Sequence, residues 1–315
     1  MSKKKRRGWP PLPPVLDGTV IDNHTHLALG PGQIPRRTGV RLTVDAQLAR
    51  AKTVGVSAVI SSACELGDIE PMIELAHRFA GRKDAPKIYV GVAIHPNEAA
   101  LHGGVVEKSP DGMVHEQEPH HRQYDIEGAC EKVYEAAKNN DCVVTIGETG
   151  LDYFRTSAAG RQAQIDSFKA HIDIAKCLDL PMQIHDRDAH DDTIAVLQEC
   201  GAPERTVFHC YSGDTPMARI CAENGWYCSF SGTVTFGPND ELRQALAALP
   251  RHLVLIETDA PYLTPHPHRG QPNASYMIAH TLRTVAQVWQ CDERQACQQL
   301  LDNTYQAYPG IKVTV

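Results

Sequence analysis

Short apolar runs alternate along the chain with stretches whose apolar residues recur every three or four positions. The runs are Val20 to His26, Val56 to Ala63, Ile88 to His95, Cys142 to Glu148, Pro181 to His185, Thr206 to Cys210, Trp226 to Phe236 and Leu253 to Asp259. Most are rich in Val and Ile on both faces, as expected for parallel strands buried on both sides. The intervening segments read as helices. Thr43 to Val54 sets Val44, Leu48 and Ala51 on one face, and Arg161 to Leu178 does the same with Ile165, Phe168, Ile172 and Ala175. Asp125 to Asn139 reads likewise, as does a short segment around Ala218, Ile220 and Cys221. Eight strands alternating with helices predict an α/β chain folded as a (β/α)8 TIM barrel, which needs ~250 residues. The competing doubly wound sheet normally carries a glycine-rich phosphate loop after its first strand, and none follows here.

Two segments depart from the alternation. Residues 1–18 form a basic, then proline-rich tail, predicted to be disordered and then extended, with a single barrel domain over 19–315. The interval from His95 to Cys142 is too long for one helical connection. Asn97 to Tyr124 therefore reads as a loop inserted after the third strand, on the face where barrel active sites lie. Its histidines, His102, His115, His120 and His121, are unevenly spaced and read as solvated loop residues. A loop lying over the barrel mouth would favour thin, single-stranded substrates.

Composition narrows the class. An apolar content of 42% in 315 residues excludes wholesale disorder, and no apolar run approaches the ~20 residues of a membrane span. The ten cysteines are spread from Cys64 to Cys297 without a C-x-x-C pair, and no apolar segment follows the basic start. That pattern predicts a reducing, cytoplasmic setting with cysteines used as small core residues. The formal charge is −7, and without the Lys3 to Arg7 run it becomes −12. A body of that sign does not grip long duplex DNA by charge alone.

The chemistry collects at the ends of the runs. His24 and His26 stand two apart, so both imidazoles are expected on one face of the first strand, pointing into the barrel mouth. Asp22 has the same parity and is expected to orient His24 from behind. Glu148, His185, His209 and Asp259 each end or directly follow another run. A polar group buried unpaired at the end of an apolar strand is costly, and one shared metal centre would satisfy all six. Four neutral imidazoles and two carboxylates suit one or two divalent ions of the Zn, Mn, Ni, Co or Mg group. Two ions ~3.5–4 Å apart need a bridging ligand, and Glu148 on the fourth strand is the expected bridge.

The same positions sit in a series of motifs: Asp22-Asn23-His24-Thr25-His26, Gly91-Val92-Ala93-Ile94-His95-Pro96 and Gly147-Glu148-Thr149-Gly150-Leu151-Asp152-Tyr153. Gln183-Ile184-His185-Asp186-Arg187, Phe208-His209-Cys210-Tyr211-Ser212-Gly213 and Glu257-Thr258-Asp259-Ala260-Pro261-Tyr262-Leu263 continue it. In these motifs, over about residues 20–310, the chain resembles the TatD family of metal-dependent deoxyribonucleases, a branch of the amidohydrolase-like barrels. The resemblance implies two divalent ions of the Mg, Mn or Zn class at the C-terminal ends of the strands. One would be held by His24, His26, Glu148 and Asp259, the other by Glu148, His185 and His209. It implies a hydrolase that turns an activated water on a phosphodiester, with Glu148 and Asp259 catalytic and Asp259 as the general base. It also implies DNA as partner, single-stranded or at 3′ ends, and no membrane. His95 lies outside that ligand pattern; it either meets the scissile phosphate or leaving oxygen, or makes a structural hydrogen bond beside Pro96. Arg187, Arg269 and Asn273 are expected to contact substrate, although Arg187 has a bland alternative in an ion pair with Asp186 or Asp188. The inserted loop is longer than the family pattern predicts.

Two other readings are open. The same centre can activate water against a carbonyl, as in hydrolysis of a D-aminoacyl-tRNA ester. A non-catalytic binding protein on a retired barrel ranks last, because it predicts a missing ligand and all six are present.

Overall fold

All eight apolar runs become strands, and each pairs in parallel with its sequence neighbours to give the barrel order β1 to β8. The computed structural model describes residues 8–30, 32–34, 42–106 and 108–312; the Lys3 to Arg7 run lies outside them. The strands are β1 Val20–Thr25, β2 Val56–Ala63, β3 Lys87–Val92, β4 Val143–Asp152, β5 Met182–Arg187, β6 Thr206–Phe208, β7 Tyr227–Phe230 and β8 Val254–Ile256. The helices are α1 Val44–Val54, α2 Leu66–Phe79, α3 Pro96–His102, α4 Pro119–Gln123, α5 Ile126–Asn139 and α6 Arg161–Leu178. They continue with α7 His190–Cys200, α8 Thr215–Glu223, α9 Asp240–Ala248, α10 Ile278–Trp289 and α11 Glu293–Ala307. Local chemistry sets their ends. Thr43 caps α1 by accepting from Ala46 N–H at 3.3 Å, and Gly55 stops it in the left-handed region at φ 116°. Asp125 caps α5 through Gly128 N–H at 2.9 Å.

Two apolar layers hold the barrel. Leu48, Val59, Phe79, Val90, Phe168 and Leu282 belong to the larger one, between strands and helices. A smaller cluster of Ile21, Ile60, Tyr89, Val144, Val207 and Leu255 is closed off by Leu301 and Tyr308 from the end of the chain. Between β8 and β1 the joint is made just beyond the strands. His26 N–H donates to Ala260 O at 2.7 Å and Asp259 N–H to His24 O at 3.0 Å.

Several sequence expectations shift. The strand in Trp226 to Phe236 ends at Phe230 and passes into a 3-10 turn over Gly232–Thr235. His26, His95, His209 and Asp259 fall just past the ends of their strands, whereas β4 runs on to Asp152 and β5 to Arg187. Residues 8–18, expected as a loose tail, are extended but docked. Their carbonyls accept from barrel side chains: Gly8 O from Gln271 Nε2 at 2.7 Å, Pro10 O from the Tyr276 hydroxyl at 2.9 Å and Pro14 O from Arg283 Nη2 at 3.0 Å. Proline brings no N–H, so such a segment is satisfied once its carbonyls find donors.

The insertion after β3 is ordered by α3 and α4 rather than open loop. Of its residues, Asn97 lines the cleft at the barrel mouth. Asp111 and Met113 approach the mouth through Arg155, at 3.6 and 3.3 Å. Among the described residues the insertion borders the mouth and does not roof it.

Two strands that carry candidate ligands break register where those residues sit. The β1–β2 ladder shifts between Asp22 and Thr25, and the β4–β5 ladder between Ile146 and Thr149. Irregularities of this kind re-aim a side chain that strict alternation would send elsewhere. β4 lies so close to β5 there that a Cβ on Gly147 would sit 2.5 Å from Gln183 Cβ. Gly150, paired with His185, has φ 140° and leaves only 2.1 Å between such a Cβ and His185 O. Gly150→Ala is therefore expected to cost about 3 kcal/mol or more through backbone strain and overlap. Urea unfolding measures this, and an unchanged midpoint would show the ladder to be more pliable than its spacing suggests.

Candidate metal centre

Glu148 stands at the centre of the barrel mouth with its two oxygens facing different histidine pairs. Oε2 lies 3.5 Å from Nε2 of both His24 and His26. Oε1 lies 2.5 Å from His185 Nδ1 and 2.8 Å from His209 Nε2. Asp259 adds Oδ1 at 3.4 Å from His26 Nε2 and 3.9 Å from His24 Nε2. The structure thus brings all six sequence-predicted ligands into one cluster, with the His24 and His209 rings stacked at 4.0 Å. Asp259 holds a left-handed backbone at φ 49°, a conformation that an aspartate tolerates better than most residues. The cluster lies in a cleft of about 800 Å3.

Surrounding side chains decide where the ring protons sit. Gln183 Nε2 donates to Asn23 O at 2.6 Å and the Tyr308 hydroxyl at 2.8 Å, so its Oε1 is left to accept from His24 Nδ1 at 2.9 Å. His24 Nε2 is then a bare lone pair, yet it faces His26 Nε2 at 3.2 Å and two carboxylates. His185 turns Nε2 toward Asp152 Oδ2 at 3.2 Å and Nδ1 inward. His209 presents Nδ1 to Glu257 Oε1 at 3.4 Å, long for a hydrogen bond but close enough to favour the proton on that side. Glu257 itself accepts Cys210 N–H at 2.9 Å. Lone pairs and carboxylate oxygens therefore converge with little hydrogen between them, which is the donor set a divalent cation fits. Ligand atoms of His24, His26 and Glu148 fall within 4.8 Å of one another, as do those of His24, His209 and Asp259.

Charge tells the same story. Burial would raise the Glu148 carboxyl, but His209, His185 and His24 outweigh it and hold the group well below the usual carboxylate range. Burial would lower His185, yet Asp152 and Glu148 push it up to about 9. His26 also rises, against burial, because of Asp259 and Glu148. The field in this pocket demands positive charge, and bound cations meet that demand without protonating the ligands.

His95 is placed differently. Its Nδ1 accepts Asn97 N–H at 3.1 Å as the cap of α3, so the ring proton resides on Nε2, which lies 3.5 Å from Glu148 Oε1. Burial, with His185 nearby, lowers its affinity for a second proton. His95 therefore offers a donor to the cleft rather than a ligand lone pair, and the structural bond beside Pro96 leaves that donor facing inward.

Other assignments need correction. Asp22 does not orient His24; across the β1 irregularity its carboxylate accepts Thr258 N–H at 2.8 Å and the Thr258 hydroxyl at 2.6 Å. Asn273 lines the cleft, but it spends both amide hydrogens on Thr258 O and Tyr262 O, at 3.0 and 2.5 Å, and so ties the loop after β8. Arg269 stacks over Phe236 at 4.0 Å outside the cleft lining. Arg187 does line the cleft, its guanidinium stacked on Phe154 at 3.9 Å, while Asp186 is taken by His190 at 2.7 Å. The cysteines are not all core residues: Cys177 is exposed, and Cys64 reaches the centre with Sγ 3.5 Å from Glu148 Oε2. Burial and then Glu148 push the Cys64 thiol up to about 12, so it donates S–H rather than offering a thiolate. Gln183, Glu257, Asp152 and Cys64 carried no assigned role in the sequence. Gln183 and Glu257 each stand two residues before a ligand, and that spacing was a usable signal.

Comparison with known proteins agrees with this geometry. A family model described as TatD related DNase matches residues 21–309. A Mycobacterium tuberculosis protein described as the uncharacterized metal-dependent hydrolase TatD is 34% identical over 274 residues, covering 85% of this chain and 90% of its own. The crystal structure of the TatD homologue YjjV from Escherichia coli superposes with a TM-score of 0.73 at 25% identity, over 92% of this chain and 98% of that one. A TatD-family hydrolase from Entamoeba histolytica shares the fold at a TM-score of 0.75 and 19% identity, covering 94% and 100% of the two chains.

Replacing the amide that fixes His24 tests the proton assignment. Gln183→Leu is expected to weaken divalent-ion binding by about 10- to 100-fold. Calorimetric titration of the folded variant measures it, and wild-type affinity would mean that His24 is oriented by something else.

Proposed function

The chain belongs to the TatD-related DNase family and is a metal-dependent hydrolase, and we propose that it is a two-ion phosphodiesterase that removes nucleotides from 3′ ends of single-stranded DNA. The observation that carries this reading is the split of Glu148, one oxygen toward His24 and His26 and the other toward His185 and His209. That is how a carboxylate is arranged when it bridges two cation sites. His24, His26, Glu148 and Asp259 would hold one ion of the Mg, Mn or Zn class, and Glu148, His185 and His209 the other. Such ions supply a water acidified toward neutral pH and positive charge for the non-bridging phosphate oxygens.

The protein's own groups divide the remaining work. Asp259 places a carboxylate oxygen at the edge of the cluster, where it accepts the proton released by the attacking water. His95 directs Nε2–H into the cleft and donates to the leaving oxygen or to the phosphate. Arg187 lies at the rim with its planar cation braced on Phe154, suited to a neighbouring phosphate. Tyr262, 62% exposed with its ring 6.1 Å from that of His26, offers a face on which a nucleobase can stack. The acidic body favours strand ends over long duplex, because attraction for phosphate would be confined to the ions and a few rim cations.

The test is direct. Metal-loaded protein is expected to release mononucleotides from 5′-labelled single strands by shortening them from the 3′ end. Asp259→Asn should retain bound metal while losing turnover. Deacylation of D-aminoacyl-tRNA without nucleotide release would replace this substrate class by a carboxylic ester. For base stacking, Tyr262→Ala is expected to raise KM for oligonucleotides about tenfold with little change in kcat, in line with ~1–3 kcal/mol per stacked base. An unchanged KM would remove Tyr262 from the binding path.

A further inference from the structure

The insertion after β3 carries a second set of ligand-type side chains that the barrel centre does not use. α3 presents Glu98 and His102 one turn apart, α4 contributes His120 and His121, and Glu65 reaches in from the residue preceding α2. One ligand atom from each of His102, His120 and His121 lies within 4.8 Å of the others, and the same holds for Glu65, Glu98 and His120. These histidines are not solvated loop residues: His102 and His121 are buried, and His115 and His120 are half-buried.

Two nitrogens there lack a partner. His102 Nδ1 lies 2.6 Å from Tyr124 O, which can only accept, so Nδ1 carries the proton and Nε2 is a bare lone pair. His102 is 5% exposed, and among the described residues nothing hydrogen-bonds its buried Nε2. The buried Nε2 of His120 is likewise without a hydrogen-bond partner among the described residues. An acceptor stranded in this way forfeits the hydrogen bonds that water would give it. Opposite them, burial and the carboxylates of Glu98, Asp68 and Glu118 push Glu65 up to about 7. A stranded lone pair on His102 and an unpartnered nitrogen on His120, set against crowded carboxylates, are relieved together by one cation.

We propose that Glu65, Glu98, His102 and His120 form a structural site for one divalent ion of the zinc class, separate from the barrel centre. Two imidazoles and two carboxylates fit the tetrahedral preference of such an ion. Bonds of ~2.1 Å bring tetrahedral ligand atoms to about 3.4 Å from one another. The part-exposed side chains of Glu65 and His120 have room to make that contraction. His121 acts from behind. Its Nδ1 accepts Glu118 N–H at 2.9 Å, so Nε2 keeps its proton and donates to Glu98 Oε2 at 2.6 Å, fixing the carboxylate. The ion fastens the start of α2, α3 and α4 to one another. Because Glu65 follows Cys64 and α3 starts next to His95, this fastening bears on two edges of the cleft.

Full-length protein stripped with a chelator, reloaded with Zn2+, desalted and analysed for bound zinc tests the site. Wild type is expected to hold one equivalent more than either His120→Gln or Glu65→Gln, both at part-exposed positions where thermal melting can verify folding. Zinc should also slow amide exchange across residues 97–124 in wild type and in a His24→Ala/His185→Ala variant, but not in His120→Gln. Loss of zinc only from the barrel variant, with equal zinc in wild type, His120→Gln and Glu65→Gln, would overturn the proposal and leave the barrel centre intact. Protection of the segment that does not depend on zinc would overturn it as well.

Discussion

Acceptors face acceptors around Glu148, and the barrel mouth is organised by that constraint. Imidazole lone pairs and carboxylate oxygens this close repel unless positive charge lies between them. The surrounding residues make the arrangement stricter. Gln183, Asp152 and Glu257 draw ring protons away from the centre, so the inward nitrogens of His24, His185 and His209 are left as bases. Gln183 is fixed in turn by Tyr308, whose hydroxyl also lies 3.3 Å from Asn23 Oδ1. A residue just past the last helix thereby determines the tautomer of a histidine on the first strand.

Much of the fold was legible because parallel strands covered on both faces leave short runs with few charges on either face, and β2 matches its sequence bounds for this reason. α6 matches because its apolar residues recur at helical spacing between Gly160 and Pro181. The six ligands were legible because a polar residue ending an apolar run has few inexpensive explanations. Alternation failed where the backbone departs from it. Asp22 and His24 share parity in sequence, but the β1 ladder shifts between Asp22 and Thr25, and Asp22 turns to Thr258. Nor does a linear sequence reveal which donors a side chain will spend. Asn273 and Arg269 looked available for phosphate, and only tertiary contacts show the amide committed and the guanidinium stacked outside the cleft.

Histidine serves three purposes in this chain, distinguished by what each ring nitrogen meets. His171 is a satisfied core residue: Nε2 accepts Ile94 N–H at 3.0 Å and Nδ1 lies 2.7 Å from Ser167 O. His95 uses one nitrogen to begin a helix and turns its N–H to the cleft. His24 has one nitrogen held by an amide and the other aimed at carboxylates. Counting histidines cannot separate these cases, whereas assigning each proton can.

The joint between β8 and β1 uses the same short segments that carry His24, His26 and Asp259. Elsewhere neighbouring strands are joined by ladder pairing, but here two backbone bonds, the bonds of Asp22 to Thr258 and of Asn23 to Ile256 O, and the loop tied by Asn273 bring the first and last strands together. Any ion gripped by His24, His26 and Asp259 would span that joint. Folding and ion affinity then become one linked equilibrium, in which free ion at 100 times its dissociation constant adds about 2.7 kcal/mol to the folded form. The barrel would thus carry a clasp whose tightness is set by the surrounding ion concentration.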